Sequence, residues 1–275
     1  MPRLRPATTS VNYSSVDEYL YGRERVCSAA FTPRRRITAM STKRRKVRRG
    51  RPLKADAAPD MRERILDAAE DHFSRHGFWG VTIREVATDA KVDTALLHYY
   101  FDTKRGLFDA VFERRAAIIN EERIAAIDAY VKEAGSAITV EGVIEAFLQP
   151  ILRRAATGDQ RWHNYFALIA QVNNTPAWGG ETMGRTFDTV IHHLIDALRK
   201  ALPDVSEQEL YWSYHFLSGA LTLTLSQTGR IDRLSNGLCK SSDFGAIAQR
   251  MAPFIASGFE RLCKPHAGAK RKKTT

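Results

Sequence analysis

The side chains best placed to do chemistry lie between Thr82 and Leu107, where the chain reads TIREVATDAKVDTALLHYYFDTKRGL. Thr82-Ile83-Arg84-Glu85 has the form of a capping box, in which hydroxyl and carboxylate each accept from a backbone N–H of the other residue and so open a helix. That helix is expected to end near Asp89. After the short Ala90-Lys91-Val92 turn, Asp93 can cap a second helix running from Thr94 to about Tyr100. Two short helices joined by three or four residues have the helix-turn-helix spacing, and the second of them would enter the major groove of DNA. Upstream, Arg48-Arg49-Gly50-Arg51-Pro52 looks like the Gly-Arg-Pro core of minor-groove hooks, in which an extended chain slides arginines into a narrow A·T groove. The alternative for this run is a solvated or nuclear-import-like charge cluster.

Positioning these residues requires a scaffold, and the periodicity supplies one. Met61, Ile65, Ala69 and Phe73 recur every four residues beside Leu66, a single apolar stripe. Asp60 with Glu63 suggests a capping box at its start, and Gly77 a left-handed stop at its end. From Lys104 onward the pattern is helical throughout, with segments expected at 104–133, 140–157, 160–173, 180–202, 206–228 and 242–263; Ser206-Glu207-Gln208-Glu209 is a further capping box and Pro253 predicts a kink. The fold class is therefore all-α. A three-helix helix-turn-helix domain over 59–105 precedes a larger helical domain over 106–264, with a basic arm at 1–58 and a basic tail at 265–275.

The block from Thr82 to Leu107 resembles the TetR family of bacterial transcriptional regulators, in which an Ala-Gly-Val-Ser turn precedes a short recognition helix, a Tyr-x-Tyr-Phe end and a Ser-Lys-Glu-x-Leu helix start. Ala90, Val92, Leu97, Tyr100, Phe101, Lys104 and Leu107 match, whereas Lys91, Asp93 and His98 depart from the pattern. Lys91 lacks the freedom of glycine at positive φ, which suggests a differently shaped turn, and His98 changes one expected phosphate contact. The resemblance implies that Thr82, Arg84, Thr94, Ala95, Leu96 and Tyr99 face DNA. Arg84 suits a bidentate contact to guanine, and Ala95 and Leu96 suit thymine methyl groups. The hydroxyls of Thr82, Thr94, Tyr99 and Tyr100 suit phosphates, and Lys104 would anchor the backbone from a helix N-terminus. Phe101 reads as core.

Sensing and dimerisation are the two roles that the resemblance implies for the remainder. Phe244, Ile247, Met251, Ile255 and Phe259 form a continuous stripe on the last helix, and the helix before it is apolar nearly all round, with Ser218, Gly219 and Thr222 small enough for close approach. Two such helices from each of two subunits would make a two-fold four-helix bundle and set two reading heads roughly 34–36 Å apart, or a multiple of that. Phe147, Ile151, Trp162, Tyr165, Phe166, Gln171, Phe187, Ile191 and Phe216 have the composition of a ligand cavity, and equally that of an ordinary core. The stretch WSYHFLSGALTLTLSQTGRIDRL from Trp212 resembles TetR regulators of fatty-acid oxidation or efflux. It implies a fatty acid, an acyl thioester or a hydrophobic drug as effector.

Composition narrows the alternatives. The net charge of +11 is matched by a single segment, Arg34 to Lys54, which holds eleven Lys and Arg and no acid; the other 31 basic residues balance 31 acidic ones. A localised run of this kind marks a polyanion partner. No amphipathic basic helix adjoins it, which argues against membrane attachment. Residues 210–229 are too polar for a typical membrane span. Cys27, Cys239 and Cys263 are distant from one another and fit a reducing compartment, so a cytoplasmic protein is expected, with no secretory signal. Met40 falls inside the basic segment, just ahead of Lys43-Arg44-Arg45-Lys46, and offers a second translation start. No phosphate loop, nucleophile elbow or His-Glu-x-x-His is present, and Asp188 with His192 makes a surface pair sooner than a metal site. The sequence thus points to a DNA-binding regulator with no cofactor rather than an enzyme, the alternative being an architectural DNA binder without a sensor.

Overall fold

The computed structural model describes residues 58–263, with side chains from Met61 onward. The described chain is helical: α1 (Ala58–His76), α2 (Ile83–Asp89), α3 (Thr94–Phe101), α4 (Lys104–Ala134), α5 (Val140–Ala156), α6 (Gln160–Asn173), α7 (Gly179–Ala201), α8 (Glu207–Leu225), α9 (Arg230–Leu234) and α10 (Phe244–Cys263). No strand occurs among the described residues. The basic arm with Arg48, Arg49 and Arg51, and the tail after residue 263, lie outside them.

Local chemistry accounts for most of the boundaries. Helix α1 begins at Ala58, two residues before the expected cap at Asp60, because Pro59 fits a first helical turn, where its missing N–H has no intrahelical partner to lose. It ends at Gly77, whose φ of +68° lets its N–H return to the Phe73 carbonyl at 2.9 Å. Side-chain caps open the later helices: Thr103 for α4, Thr139 for α5, Asp159 for α6 and Ser206 for α8 each accept from a backbone N–H of the first turn. The five-residue α9, absent from the periodicity reading, is too short to show a period.

Helices α1 to α3 form the reading head, and α4 is shared. Its N-terminal half packs against α1 and α3, and the helix also packs on α5 and α7 of the body, so it runs unbroken through the expected boundary at 105/106. One core unites the two regions: Ile65, Leu66, Ala69 and Phe73 of α1 are fully buried together with Leu107, Phe108, Val111 and Phe112 of α4. Polar clamps reinforce the junction. The buried Glu70 carboxylate accepts from Arg114 at 2.7 Å and from Arg115 at 2.8 and 2.9 Å. Gln171 of α6 donates to the Ser74 carbonyl at 2.9 Å. In the body, α10 lies along α5 and α8, and α6 bridges α1, α7 and α8.

Candidate nucleic-acid interface

In the head, one set of side chains builds the helices and another is left facing outward. Thr82 accepts from the Glu85 N–H at 3.3 Å, while its own N–H and hydroxyl donate to the Glu85 carboxylate at 2.7 and 2.8 Å. These hydrogen bonds hold the Glu85 carboxyl below its usual range. They also correct the expectation for Thr82, whose hydroxyl proton is committed to Glu85 and is not free for a phosphate. Arg84 is exposed beside it, and its guanidinium has no partner among the described residues.

The turn between α2 and α3 is closed by Lys91 at φ +55°, so a lysine occupies the left-handed region directly. Arg64 of α1 donates to the Ala90 carbonyl at 2.7 Å and His72 meets Asp89 at 2.7 Å, which pins the turn to α1. Asp93 then caps α3 by accepting from the Ala95 N–H at 2.8 Å. Leu97 and Phe101 are buried and fix the rear of α3, with Tyr100 packed partly against the core. Thr94, Ala95 and Tyr99 are exposed, Tyr99 to 80%. Leu96 is half-buried against the core, so it offers less surface than Ala95. His98 is exposed, and its Nδ1 lies 2.9 Å from the Asp102 carbonyl.

At the start of α4, Lys104 is not extended from the helix end. Its ammonium lies 4.7 Å from the Phe78 ring centroid, and burial lowers its pKa against the pull of Glu85. Gly106 is required here: a Cβ would come within 2.3 Å of the Phe101 carbonyl oxygen, so only glycine lets α3 and α4 approach this closely.

The body holds a small pocket of about 40 Å³, partly open to solvent, between α4, α5, α6, α7 and α8. Phe147, Ile151, Phe187 and Ile191 line it. The other candidate cavity residues lie elsewhere. Trp162 carries the guanidinium groups of Arg115 and Arg154 over its ring, at 5.4 and 5.0 Å from the centroid. Tyr165 is buried against Phe112 and Trp162, and Phe166 stacks on Trp162. Gln171 is held by Ser74, and Phe216 is on the surface. Among the lining residues that periodicity missed are Arg123, Asn173 and Tyr214. The signal for Arg123 was available, since it interrupts the buried i, i+4 row Ile119, Arg123, Ile127.

The expected dimer stripe is also corrected. Phe244, Met251, Ile255 and Phe259 are buried inside the subunit, where α10 packs on α5 and α8, and Ile247 is packed against the same core. Ser218 and Thr222 line the pocket, and the Thr222 hydroxyl accepts from Asn173 at 2.9 Å. The outward apolar residues are instead Trp212, Phe216 and Leu223 of α8, at 51, 56 and 67% exposure, and Phe254 of α10 at 74%. With the exposed Gly219, the α8 set recurs at helical spacing as one stripe, and Phe216 belongs to it rather than to the cavity. Asp188 and His192 are exposed, and no cluster of three or more metal-ligating side chains forms among the described residues. None of the described helices is long and apolar enough to cross a membrane.

Comparison with known proteins agrees with this architecture. Residues 65–111 match the model of bacterial regulatory proteins of the tetR family, and residues 145–258 match the tetracyclin repressor-like C-terminal domain. Over 69 residues the chain is 38% identical to the HTH-type transcriptional repressor NicS of Pseudomonas putida, which is 25% of this chain and 32% of that protein. It is 28% identical over 91 residues to the HTH-type transcriptional regulator BetI of Agrobacterium fabrum, 33% of this chain and 43% of that one. The chain thus spans less than half the length of the curated relatives it matches. Two solved structures share the fold at 13% sequence identity. FadR of Bacillus subtilis in complex with stearoyl-CoA matches with a TM-score of 0.52 over 71% of this chain and 98% of its own. The fatty acid degradation regulator FadR of Bacillus halodurans matches at 0.51 over 72% and 95%. With a helix-turn-helix head and a helical body each matched by the corresponding domain model, together over more than half its length, the chain belongs to the TetR family of bacterial transcriptional regulators.

Proposed function

We propose that this protein is a ligand-responsive repressor that binds a palindromic operator as a homodimer in the cytoplasm and is released by a small hydrophobic effector. The observation that carries the reading is the outer surface of the head, where Arg84, Thr94, Ala95 and Tyr99 are exposed around a helix whose rear is fixed by Leu97 and Phe101. In this reading Arg84 and α3 read bases, the exposed hydroxyls and His98 contact phosphates, and the arm with Arg48, Arg49 and Arg51 adds minor-groove contacts. Lys104 contributes positive potential near the backbone from its seat on Phe78. The head is residues 59–105, and the rest to 264 senses and dimerises.

A second copy of the chain is the natural occupant of the Trp212, Phe216, Leu223 and Phe254 surface. Large exposed aromatics on two mutually packed helices mark an association site, and a two-fold contact through one self-complementary patch presents two heads to a palindrome. The effector site is the body pocket, walled by α4 and α7. Those helices are joined by Arg105, which donates to Thr182 at 2.5 Å and lies 4.3 Å from the Trp178 ring, and by Asn120, which donates to the Thr186 carbonyl at 2.8 Å. A ligand that binds one arrangement of these helices better than another shifts the spacing of the heads. The name of NicS supports repression, and the stearoyl-CoA bound to Bacillus subtilis FadR supports an acyl-type effector; a hydrophobic drug is the other class.

The test is a gel shift of purified protein on the DNA upstream of its own gene, against scrambled competitor, repeated with palmitate, acyl-CoA and a panel of hydrophobic drugs. Specific binding lost on adding one compound is the expected result. Specific binding indifferent to every compound would favour a constitutive DNA-binding protein, and binding no stronger than to the competitor would count against this operator.

A further inference from the structure

Arg123 is the anomaly of the body. It is 4% exposed, its Nη2 is buried with no hydrogen-bond partner, and it lines the pocket. Its Nε donates to the Phe147 carbonyl at 3.1 Å and its guanidinium lies over the Phe147 ring at 4.0 Å, so the group is held in place from one side. No carboxylate pairs with it among the described residues. The ionisable groups near enough to act on its charge are Tyr165 and Tyr214, phenols whose own pKa burial raises, so both are neutral. Desolvation pushes the guanidinium down to about 10, which still leaves it charged at neutral pH. A buried cation that is positioned but unpaired is costly, and an arginine's planar fork matches one partner above all, an oxyanion. Around it the walls are mostly apolar, with neutral polar groups at Asn173, Ser218 and Thr222.

Resting on the reading of the body as a sensor, we propose that the effector is an amphiphile with one apolar chain ending in a carboxylate, paired with Nη2 of Arg123, while its chain widens the small pocket by entering between Ile151, Phe187, Ile191 and Leu221. A thioester or an alcohol puts no charge at that end and leaves the guanidinium unpaired. A cationic drug would place like charges together.

The test measures binding of saturated fatty acids from C6 to C16, each beside the alcohol and the CoA thioester of the same length, below their micelle concentrations, by calorimetry on the full chain. For the chain length that binds best, the acid is expected to bind at least tenfold more tightly than either analogue. Arg123→Met should abolish that preference while raising the melting temperature of the unliganded protein, and Arg123→Lys should retain part of it. If the Met variant does not fold, the Lys variant and the acid-to-alcohol ratio of the wild type still decide. An alcohol or thioester that binds as tightly as the acid, an Arg123→Met protein that keeps its preference, or no binding by any acid would overturn the assignment. An alcohol or thioester that also releases the operator would overturn only the carboxylate and leave the sensor intact, whereas failure of the regulator reading is seen independently as absence of specific DNA binding.

Discussion

The head and the body solve opposite problems with their polar residues. In the head, nearly every short polar side chain is committed to a neighbour within four positions: Thr82 with Glu85, Asp93 with Ala95, His98 with Asp102, Thr103 with Gly106. What remains outward, Arg84, Thr94, Ala95 and Tyr99, is defined by subtraction. In the body the background is apolar on both faces of α8, and the informative residues are those that violate it, a charged group inside at Arg123 and aromatic groups outside at Trp212 and Phe216. Recognition chemistry is thus read from what local capping leaves over in one region and from what packing leaves uncovered in the other.

Four variants would break or sharpen that contrast. The largest effect belongs to the seam between the regions: Glu70→Ala strips the shared partner from Arg114 and Arg115 at a site 2% exposed and should cost about 3–5 kcal/mol of stability by denaturant unfolding. A loss under about 1 kcal/mol would mean that apolar packing alone joins head to body. Next, Phe216→Asp combined with Leu223→Asp should weaken self-association by about 2–4 kcal/mol, seen as a monomer by light scattering with the helical circular dichroism unchanged. A dimer surviving both changes would move the interface elsewhere. Arg84→Ala should relax base preference at one position of each half-site by about 1–3 kcal/mol in competition binding, and an unchanged operator preference would remove its reading role. Smallest, Lys91→Gly relieves a left-handed residue and should stabilise the protein by about 1 kcal/mol, with no gain expected if the lysine stem is held by packing.

The head was largely legible because its signals are local. The Thr82 and Asp93 caps, the Gly77 stop and the buried Phe101 all depend on residues within a few positions of one another. Asp60 misled because Pro59 is equally at home inside a first turn. The body was legible as helices but not as faces. The α10 stripe of Phe244, Met251, Ile255 and Phe259 is genuine, yet a stripe states only that something covers it, and here α5 and α8 of the same subunit do. Trp162 and Tyr165 have pocket-like chemistry, and only the packing of α6 shows that they are core, whereas Phe166 edges a separate pocket beside Phe244. Arg123 is one of several arginines on α4, and in the sequence only its place in the i, i+4 row between Ile119 and Ile127 sets it apart from Arg105 or Arg114.

Helix α4 is a 31-residue rod with no proline in its length, capped by Thr103 at one end and stopped by Gly135 at the other. At 1.5 Å per residue it is about 46 Å long. Such a rod magnifies angle into distance: pivoting by about 5° at its body end carries the head end sideways by roughly 4 Å, more than the rise of one base pair, about 3.4 Å. Register on DNA would then be lost through a rotation too small to disturb the packing around either half of the helix. A sensor built this way requires little of its ligand beyond a few degrees of preference.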